Sequence, residues 1–333
     1  MACVLGVDIG YSNLKVAVGS EDGSVPELGR GALVVPSGAA PADRVGKAVF
    51  GADKGVEVLV GGRPWMAGVP QDSIMQWHRT LDERYPESDQ YLALYLAALR
   101  LAKVETVDLL VTGLPVNQFS DQKFRRKLQE RLTGHFEVGG GRRALVNRVM
   151  IVPQPIGGFS EVVHQDPALA EEAVLVIDPG FFSVDWVLVN KGQYLAELCS
   201  SSNHAVSMVV ERVLKQLNEQ GIALRQVEMI EEALRSNRKD IKLGGRTVDL
   251  DQLLSRVSAE VARTAMAAVL GSLRSWGRKP DRVVLVGGGA KLFEAAVRQA
   301  FEPETVRTLP APVLANARGF WLYGTAKLVP ASA

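Results

Sequence analysis

The chain has 333 residues, of which 47% are apolar and 23% charged, and its formal net charge is +1. This composition is typical of a globular protein with a large core, and the length is sufficient for two domains. A net charge this close to zero gives no basis for direct binding to nucleic acid or to a membrane.

The two cysteines, Cys3 and Cys199, are too few and too far apart for a disulfide framework or a metal site, so we expect reduced thiols. The N-terminus leads directly into an apolar strand pattern rather than into a signal sequence. No apolar run reaches the roughly 18 residues that a membrane helix requires. We therefore expect a soluble, cytoplasmic protein.

Short runs rich in β-branched residues alternate with longer amphipathic segments along the chain. The predicted strands are 3–7, 14–18, 31–35, 56–60, 108–112, 148–152, 173–177, 184–189, 194–198 and 282–286. The predicted helices are 89–102, 122–132, 206–219, 224–235, 250–275 and 291–301. Such alternation favours an α/β fold in which helices flank the sheets.

A short motif occurs twice, about 170 residues apart, which is roughly one domain length. The first copy is V-L-G-V-D-I-G-Y-S-N-L-K-V-A-V at 4–18, and the second is V-L-V-I-D-P-G-F-F-S-V-D-W-V-L-V at 174–189. Each copy is an apolar strand, then Asp-x-Gly, a small polar residue and a second strand. Asp8 corresponds to Asp178, Gly10 to Gly180, and Ser12 or Asn13 to Ser183.

The duplicated hairpin has a physical use, although either copy alone is also compatible with a plain surface hairpin. Glycine lets backbone amides approach a phosphate, and a small hydroxyl adds a donor without bulk. An aspartate at the end of a strand is suited to the hydration shell of Mg²⁺, because this ion binds through few carboxylates and keeps several waters. Two such hairpins that face each other would clamp a polyphosphate.

A third motif, V-V-L-V-G-G-G-A-K-L-F at 283–293, reads as a strand, a triple glycine and the start of a helix. The glycines would let a flat base or a phosphate lie against the backbone. An ordinary strand-to-helix turn is the alternative. The G-x-G-x-x-G spacing with a later acidic residue is absent, which disfavours a dinucleotide-binding fold.

These three motifs, in this order, resemble those of the actin, sugar-kinase and 70-kDa heat-shock ATPase superfamily. The segments 152–159 (VPQPIGGF) and 316–324 (NARGFWLYG) are similar to its two interdomain helices. Within the superfamily, the opening motif and 111–119 (VTGLPVNQF) look like the bacterial actin-like ParM/StbA branch and its plasmid-borne relatives, including the D proteins of PRTRC clusters.

The resemblance implies an α/β actin-like fold with two domains, each a mixed, RNase H-like sheet flanked by helices, and a nucleotide cleft between them. The first domain would span 1–157, with a C-terminal helix at 316–333 packing back on it. The second would span 158–315 and contain a helical subdomain at about 205–275. A Gly/Pro-rich loop carrying Trp65 would suit a head-to-tail filament contact.

The resemblance also implies ATP or ADP and Mg²⁺ as cofactors. Asp8 and Asp178 would hold Mg²⁺ through water, Gln154 would orient the attacking water, and Asp185 would support the second hairpin. The second loop departs from the family pattern, since Pro179, Phe181 and Phe182 stand where glycines and hydroxyls are usual. The residues expected to bind nucleotide are Gly10, Tyr11, Ser12, Asn13, Lys15, Gly180, Phe181, Phe182, Ser183, Glu211, Gly287, Gly288, Gly289 and Lys291.

The implied function is an ATPase that polymerises with itself and segregates plasmid DNA. DNA would be contacted only indirectly, through a DNA-binding adaptor, and a membrane not at all. One alternative is a small-molecule kinase of the same superfamily, for which no catalytic carboxylate is evident after the first loop. The other is a nucleotide-binding scaffold that does not hydrolyse, which the altered second loop favours.

Overall fold

The structure is a computed structural model. It describes residues 2–19, 23–46, 55–75, 82–222, 224, 227–243 and 245–328. Parts of two predicted helices, residues 225–226 and 329–333, lie outside the described residues.

Twenty strands occur within the described ranges, most of them short. They are β1 Val4–Ile9, β2 Asn13–Val18, β3 Glu27–Leu28, β4 Gly31–Pro36, β5 Gly38–Pro41, β6 Val56–Val60, β7 Arg63–Val69, β8 Thr106–Val107, β9 Leu109–Leu114, β10 Gly134–Gly139, β11 Arg142–Val146, β12 Val149–Pro153, β13 Ala173–Pro179, β14 Val184–Asn190, β15 Gln193–Tyr194, β16 Ser200–Ser202, β17 Asp240–Leu243, β18 Arg246–Asp249, β19 Arg282–Leu285 and β20 Val306–Thr308.

Nine α-helices lie in the same part of the chain. They are α1 Asp89–Ala102, α2 Val116–Ser120, α3 Gln122–Arg131, α4 Pro155–Gln165, α5 Val206–Glu219, α6 Glu228–Arg235, α7 Asp251–Leu273, α8 Ala290–Ala300 and α9 Ala315–Leu328. No helix among the described residues is long and apolar enough to cross a membrane.

Most predicted elements are present, and two predictions are wrong. The strand predicted at 194–198 is mostly a 3₁₀ turn, Ala196–Leu198, because Leu198 turns inward and its carbonyl accepts a hydrogen bond from the Trp186 indole. Trp65 does not lie in a loop. It is part of strand β7, paired with Pro41 and Val58. Its half-buried side chain packs against the apolar cluster of β1, β2 and α1, which we call the first core.

The first large sheet has the strand order β12-β9-β1-β2-β4-β3. Strand β1 is parallel to β9 and antiparallel to β2, and all six of its residues are buried. Helix α1 packs on one face of the sheet and α9 on the other. A strand covered on both faces reads as a continuous apolar run, which explains why β1 shows no alternation.

The second large sheet repeats this arrangement with the order β15-β14-β13-β19-β20. Strand β13 is antiparallel to β14 and parallel to β19, as β1 is to β2 and β9. Helix α4 covers one face, and α5, α7 and α8 cover the other, where their apolar side chains and those of the sheet form the second core. The two Asp-x-Gly hairpins therefore occupy equivalent positions in two similar sheets.

Helices α4 and α9 connect the two halves and pack against each other. A Cβ atom on Gly319 would overlap the backbone of Gly157, and one on Gly157 would come within 2.5 Å of the Asn316 carbonyl oxygen. Close to this crossing, Arg318 of α9 forms a buried ion pair with Glu161 of α4 at 2.5 Å. The crossing therefore depends on the absence of side chains at two glycines.

We predict that Gly319→Ala lowers the free energy of unfolding by about 1–3 kcal/mol, since the added methyl group overpacks the helix crossing. Gly271→Ala is the matched control, because Gly271 lies on α7 and a Cβ added there would meet no atom within 4 Å. The control should instead gain about 0.5–1 kcal/mol of helix propensity. Urea unfolding of both variants measures the difference, and equal stability of the two would contradict the close packing.

Candidate functional site

The two hairpins have the same local geometry. In the first, the Gly10 amide donates to the Asn13 carbonyl at 3.0 Å, and in the second the Gly180 amide donates to the Ser183 carbonyl at 2.8 Å. Asp8 and Asp178 are each the last residue but one of their strands. The motif that occurs twice in the sequence therefore folds into the same hairpin both times, with an aspartate at the same position before each turn.

Between the hairpins lies a cavity of about 830 Å³. Both hairpins line one part of it, and the triple glycine with side chains of α6 and α7 lines another. All but one of the residues predicted to bind nucleotide or metal lie on its wall. They are Asp8, Gly10, Tyr11, Ser12, Asn13, Lys15, Gln154, Asp178, Gly180, Phe181, Phe182, Ser183, Gly287, Gly288, Gly289 and Lys291.

The exception is Glu211, which is exposed on α5 and does not line the cavity. Helix α5 buries its apolar face in the second core, so its charged face is directed away from the cleft. The side chains that α6 contributes to the cavity wall include Glu231 and Arg235. Glu211 therefore lies outside the cavity wall, and its role in nucleotide binding stays a prediction.

Asp8 is buried and bound by two donors. The Lys15 ammonium lies 3.0 Å from Asp8 Oδ2, and the Gln154 amide donates to Asp8 Oδ1 at 3.2 Å. Lys15 comes from the opposite strand of the same hairpin, and Gln154 immediately precedes α4. One carboxylate thus joins the first hairpin to the start of the first connecting helix.

Asp178 is bound differently, because its cross-strand neighbour is Asp185 rather than a lysine. The Asn316 amide of α9 donates to Asp178 Oδ2 at 2.6 Å. Gly287, with φ +80°, packs so closely that a Cβ there would overlap Asp178 Oδ1. Burial, reinforced by the nearby Asp8 and Asp185 carboxylates, raises the pKa of Asp178 to about 7, although the Asn316 hydrogen bond acts in the opposite direction.

Asp185 supports the second hairpin, as predicted. It is buried and accepts hydrogen bonds from Ser183 Oγ, Ser201 Oγ and the Val116 amide. Burial raises its pKa, and these three donors partly offset the effect. The Ser183 hydroxyl donates to Asp185 and the Gly180 amide donates to the Ser183 carbonyl, so neither of these two protons is available for an anion.

The unusual aromatic residues of the second loop have separate positions. Phe181 packs against the second core, whereas Phe182 stacks on Tyr11 of the first hairpin with ring centroids 4.7 Å apart. Tyr11 in turn stacks on Tyr85 at 4.5 Å. A row of aromatic rings therefore spans the cleft and joins the two phosphate-loop candidates directly.

Several residues at the site were not predicted from the sequence. Ser37 and Gln71 hold the first loop by hydrogen bonds to the Tyr11 carbonyl. Asn316 is the most informative, since it contacts Asp178 as Gln154 contacts Asp8. A signal for it was present in the sequence: Q-P-I-G at 154–157 and N-A-R-G at 316–319 both place an amide three residues before a glycine at the start of a connecting helix.

The side chains on the cavity wall suit some metal ions and not others. The part of the chain that the structure describes contains no group of three or more His, Cys, Asp or Glu residues that could hold a metal. Asp8 and Asp178 are nevertheless buried carboxylates on the cavity wall, one at the end of each hairpin's first strand, and Mg²⁺ binds through one or two carboxylates while it keeps several waters. Asp8 and Asp178 therefore fit a hydrated Mg²⁺ and do not fit a metal that requires a full protein cage.

Sequence comparison divides the chain into two family matches. Residues 6–157 match the N-terminal domain of actin-like proteins, and residues 176–299 match the C-terminal domain of archaeal MreB-like actin homologues. No curated protein sequence matches the chain. The two matches together span most of the sequence, and the chain belongs to the actin-like proteins.

Solved structures give the same result for the fold. The archaeal actin homologue Ta0583 shares 19% identity over 97% of this chain and 99% of its own, with a TM-score of 0.75. A subunit of a 15-stranded ParM filament from Clostridium botulinum shares 17% over 98% and 99%, with a TM-score of 0.74. Bacillus thuringiensis ParM with ATP shares 14% over 98% and 99%, with a TM-score of 0.63. The predicted α/β actin-like fold is confirmed.

We predict a pH dependence of the stability of the nucleotide-free protein. The pKa of Asp178 rises from about 3.9 in the unfolded chain to about 7 in the fold, so between these values the native state binds more protons. Stability contributed by this site therefore falls as pH rises from about 4 to 7, by up to about 1.4 kcal/mol per pH unit.

Asp178→Asn removes this titration. Urea unfolding at pH 5 and pH 8 should show a smaller fall in stability for the variant than for the wild type, so that the variant gains relative stability at the higher pH. Parallel pH profiles for the two proteins would contradict the prediction. Asp43→Asn, at an exposed carboxylate, is the control and should follow the wild-type profile.

We also predict that Phe182→Ala accelerates release of bound nucleotide. An aromatic pair contributes about 0.5–1.5 kcal/mol beyond its buried area, which corresponds to a rate increase of about two- to tenfold if the stack holds the cleft closed. Stopped-flow release of a fluorescent ADP measures it. Phe136→Ala removes an aromatic contact with Tyr95 inside the first half of the chain, and should leave the release rate unchanged.

Proposed function

We propose that the protein is a Mg²⁺-dependent ATPase that assembles with itself into filaments. The observation that carries this proposal is the pair of equivalent hairpins whose buried carboxylates, Asp8 and Asp178, face one cavity. We also propose that residues 1–157 and 158–315 form its two domains, with the helix near 316–333 packing back on the first.

The cavity offers separate surfaces to the two ends of a nucleotide. The first hairpin would supply the Gly10, Ser12 and Asn13 region and the Lys15 ammonium to phosphate oxygens, and the loop 180–183 of the second hairpin would line the opposite side of the phosphates. The glycines at 287–289, Lys291 and the side chains of α6 and α7 would surround the nucleoside. Mg²⁺, held by Asp8 and Asp178 through water, would neutralise charge on the phosphates.

Gln154 is the proposed water-positioning residue. Its amide nitrogen donates to Asp8 Oδ1, which fixes the side chain and leaves its oxygen able to accept from a water molecule. A glutamine amide is not a proton acceptor of useful basicity, so this residue would orient the attacking water rather than deprotonate it. Hydrolysis would accordingly depend on the position of the attacking water and on electrostatic stabilisation of the phosphate charge.

Self-association is proposed from the filament formed by the ParM relative, and plasmid or DNA segregation through an adaptor protein is the proposed use of the polymer. The charge distribution favours an adaptor over direct DNA contact. Within the basic helix α3, Arg126 is paired with Glu130 and Lys127 with Glu87, so part of its charge is already neutralised. Direct phosphate contact would require unpaired cations on one face.

The two alternatives differ in measurable products. A small-molecule kinase would transfer the γ-phosphate to a sugar or an acid and stay unassembled. A non-hydrolysing scaffold would bind nucleotide without turnover. The observation in its favour is that Phe182, which departs from the glycines and hydroxyls usual in this loop of the superfamily, stacks on Tyr11.

We predict that Mg-ATP makes the protein sediment and release inorganic phosphate, and that Gln154→Ala slows phosphate release by about 10²-fold or more with little change in nucleotide affinity. Pelleting and phosphate release are measured on the same samples. Asp178→Ala should lose both, because it removes a proposed metal ligand. Asp43→Asn, at an exposed carboxylate that does not line the cavity, should behave as wild type.

Phosphate release with no pelleting at any protein concentration would exclude the filament part of the proposal. Binding without phosphate release would favour the scaffold, and a phosphorylated small molecule would favour the kinase. Wild-type phosphate release by Gln154→Ala would remove the assigned role from this residue.

A further inference from the structure

Asn316 lies at the start of α9 and uses both ends of its side-chain amide. Its nitrogen donates to Asp178 Oδ2 at 2.6 Å, and its oxygen accepts from the Gly158 amide of α4 at 3.2 Å. The residue is 3% exposed. A buried amide that satisfies donor and acceptor in one conformation is held firmly, because loss of either bond leaves a buried polar group unpaired.

Asn316 compensates for a cation that the second hairpin lacks. Asp8 has Lys15 across its hairpin, whereas the residue across from Asp178 is the carboxylate Asp185. Among the residues that the structure describes, Asn316 supplies the one side-chain hydrogen bond to the Asp178 carboxylate. The orientation of this carboxylate toward the cavity therefore depends on a side chain from the second connecting helix.

The same side chain reaches the junction of the two connecting helices. Gly158, which donates to Asn316 Oδ1, is next to Gly157, and Gly157 packs against Gly319 at the helix crossing. One amide thus bridges a loop of the cavity, the first turn of α4 and the first turn of α9. A movement of the Asp178 carboxylate cannot occur without a change in at least one of these hydrogen bonds.

We propose that Asn316 is a positioning residue that orients Asp178 for Mg²⁺-nucleotide and couples occupancy of this site to the junction of α4 and α9. This inference rests on the proposed nucleotide function. It concerns a residue that touches neither nucleotide nor metal in the proposed arrangement, so its effect would pass through Asp178 and Gly158.

The test uses the full chain and two measurements. The first is the dissociation constant of a fluorescent ADP in Mg²⁺ and in EDTA. The second is hydrogen exchange of residues 155–165, without nucleotide and with Mg-ADP. In the wild type, Mg²⁺ should tighten binding, and Mg-ADP should slow exchange at the start of α4.

Asn316→Ala should weaken binding in Mg²⁺ by about tenfold or more, as removal of a partner that orients a metal ligand does, and leave binding in EDTA unchanged. Mg-ADP should no longer alter exchange at the start of α4. Asn316→Ser is the milder variant if alanine prevents folding, because it keeps a hydroxyl near Gly158 but is too short to reach Asp178.

The double variant Asn316→Asp with Asp178→Asn exchanges donor and acceptor. Without nucleotide, the Gly158 amide of this double variant should again exchange slowly. Mg²⁺ should still fail to tighten ADP binding, because the carboxylate now lies at position 316 rather than at position 178. Asn147→Ala removes an exposed Asn–Asp hydrogen bond of the same type, with Asp108, and should match the wild type in both measurements.

The inference would be overturned, and the proposed function left intact, if Mg²⁺ tightens ADP binding by Asn316→Ala as much as by the wild type and if Mg-ADP slows hydrogen exchange in α4 equally in both. Equal weakening in Mg²⁺ and in EDTA by a folded Asn316→Ala would also overturn it, since that result marks a structural role alone. If the wild type binds no fluorescent ADP in either buffer, the proposed function fails and the inference fails with it.

Discussion

The architecture of the cleft depends on the burial of two carboxylates of like charge at one cavity. Removing a carboxylate from water is costly unless donors or cations surround it, and two that face each other raise the cost. The protein meets this constraint with a lysine and an amide at Asp8, and with an amide alone at Asp178. Both amides come from the connecting helices, so the hydrogen bonds that stabilise the buried carboxylates also link the site to the junction between the sheets.

This dependence explains why the helix crossing is built from glycines. The amides of Gln154 and Asn316 reach the two aspartates only if α4 and α9 approach each other closely between the two sheets. Gly157 and Gly319 permit that approach, and the Glu161–Arg318 ion pair lies close to these glycines on the same pair of helices. A side chain at either glycine would separate the helices and draw both amides away from their carboxylates.

The sequence predicted the central strands of the two large sheets, the hairpins and the part of the cavity wall that the hairpins form, because these features are local: apolar runs that end in Asp-x-Gly. What it did not predict depends on packing between distant segments. Glu211 and Glu231 lie on helices of similar pattern, and only the docking of α5 on the second core decides which one faces the cavity. Asn316 lies 138 residues from Asp178 in the chain. The duplicated amide-x-x-Gly pattern that contains it can be interpreted only from the crossing of α4 and α9.

The two hairpins have kept one backbone and diverged in side chains, which gives the two walls of the cleft different tasks. The first hairpin carries the cation, Lys15, directly against its aspartate. At the corresponding place the second carries Asp185, whose carboxylate accepts hydrogen bonds from two serines and from the Val116 amide at the start of α2, while Phe182 reaches across to Tyr11. The first hairpin thus brings positive charge to the cleft, and the second brings an apolar contact across it. Asp178, with no cation of its own hairpin beside it, is the carboxylate whose charge balance would change most when Mg²⁺ enters, and it is also the one joined through Asn316 to the connecting helices.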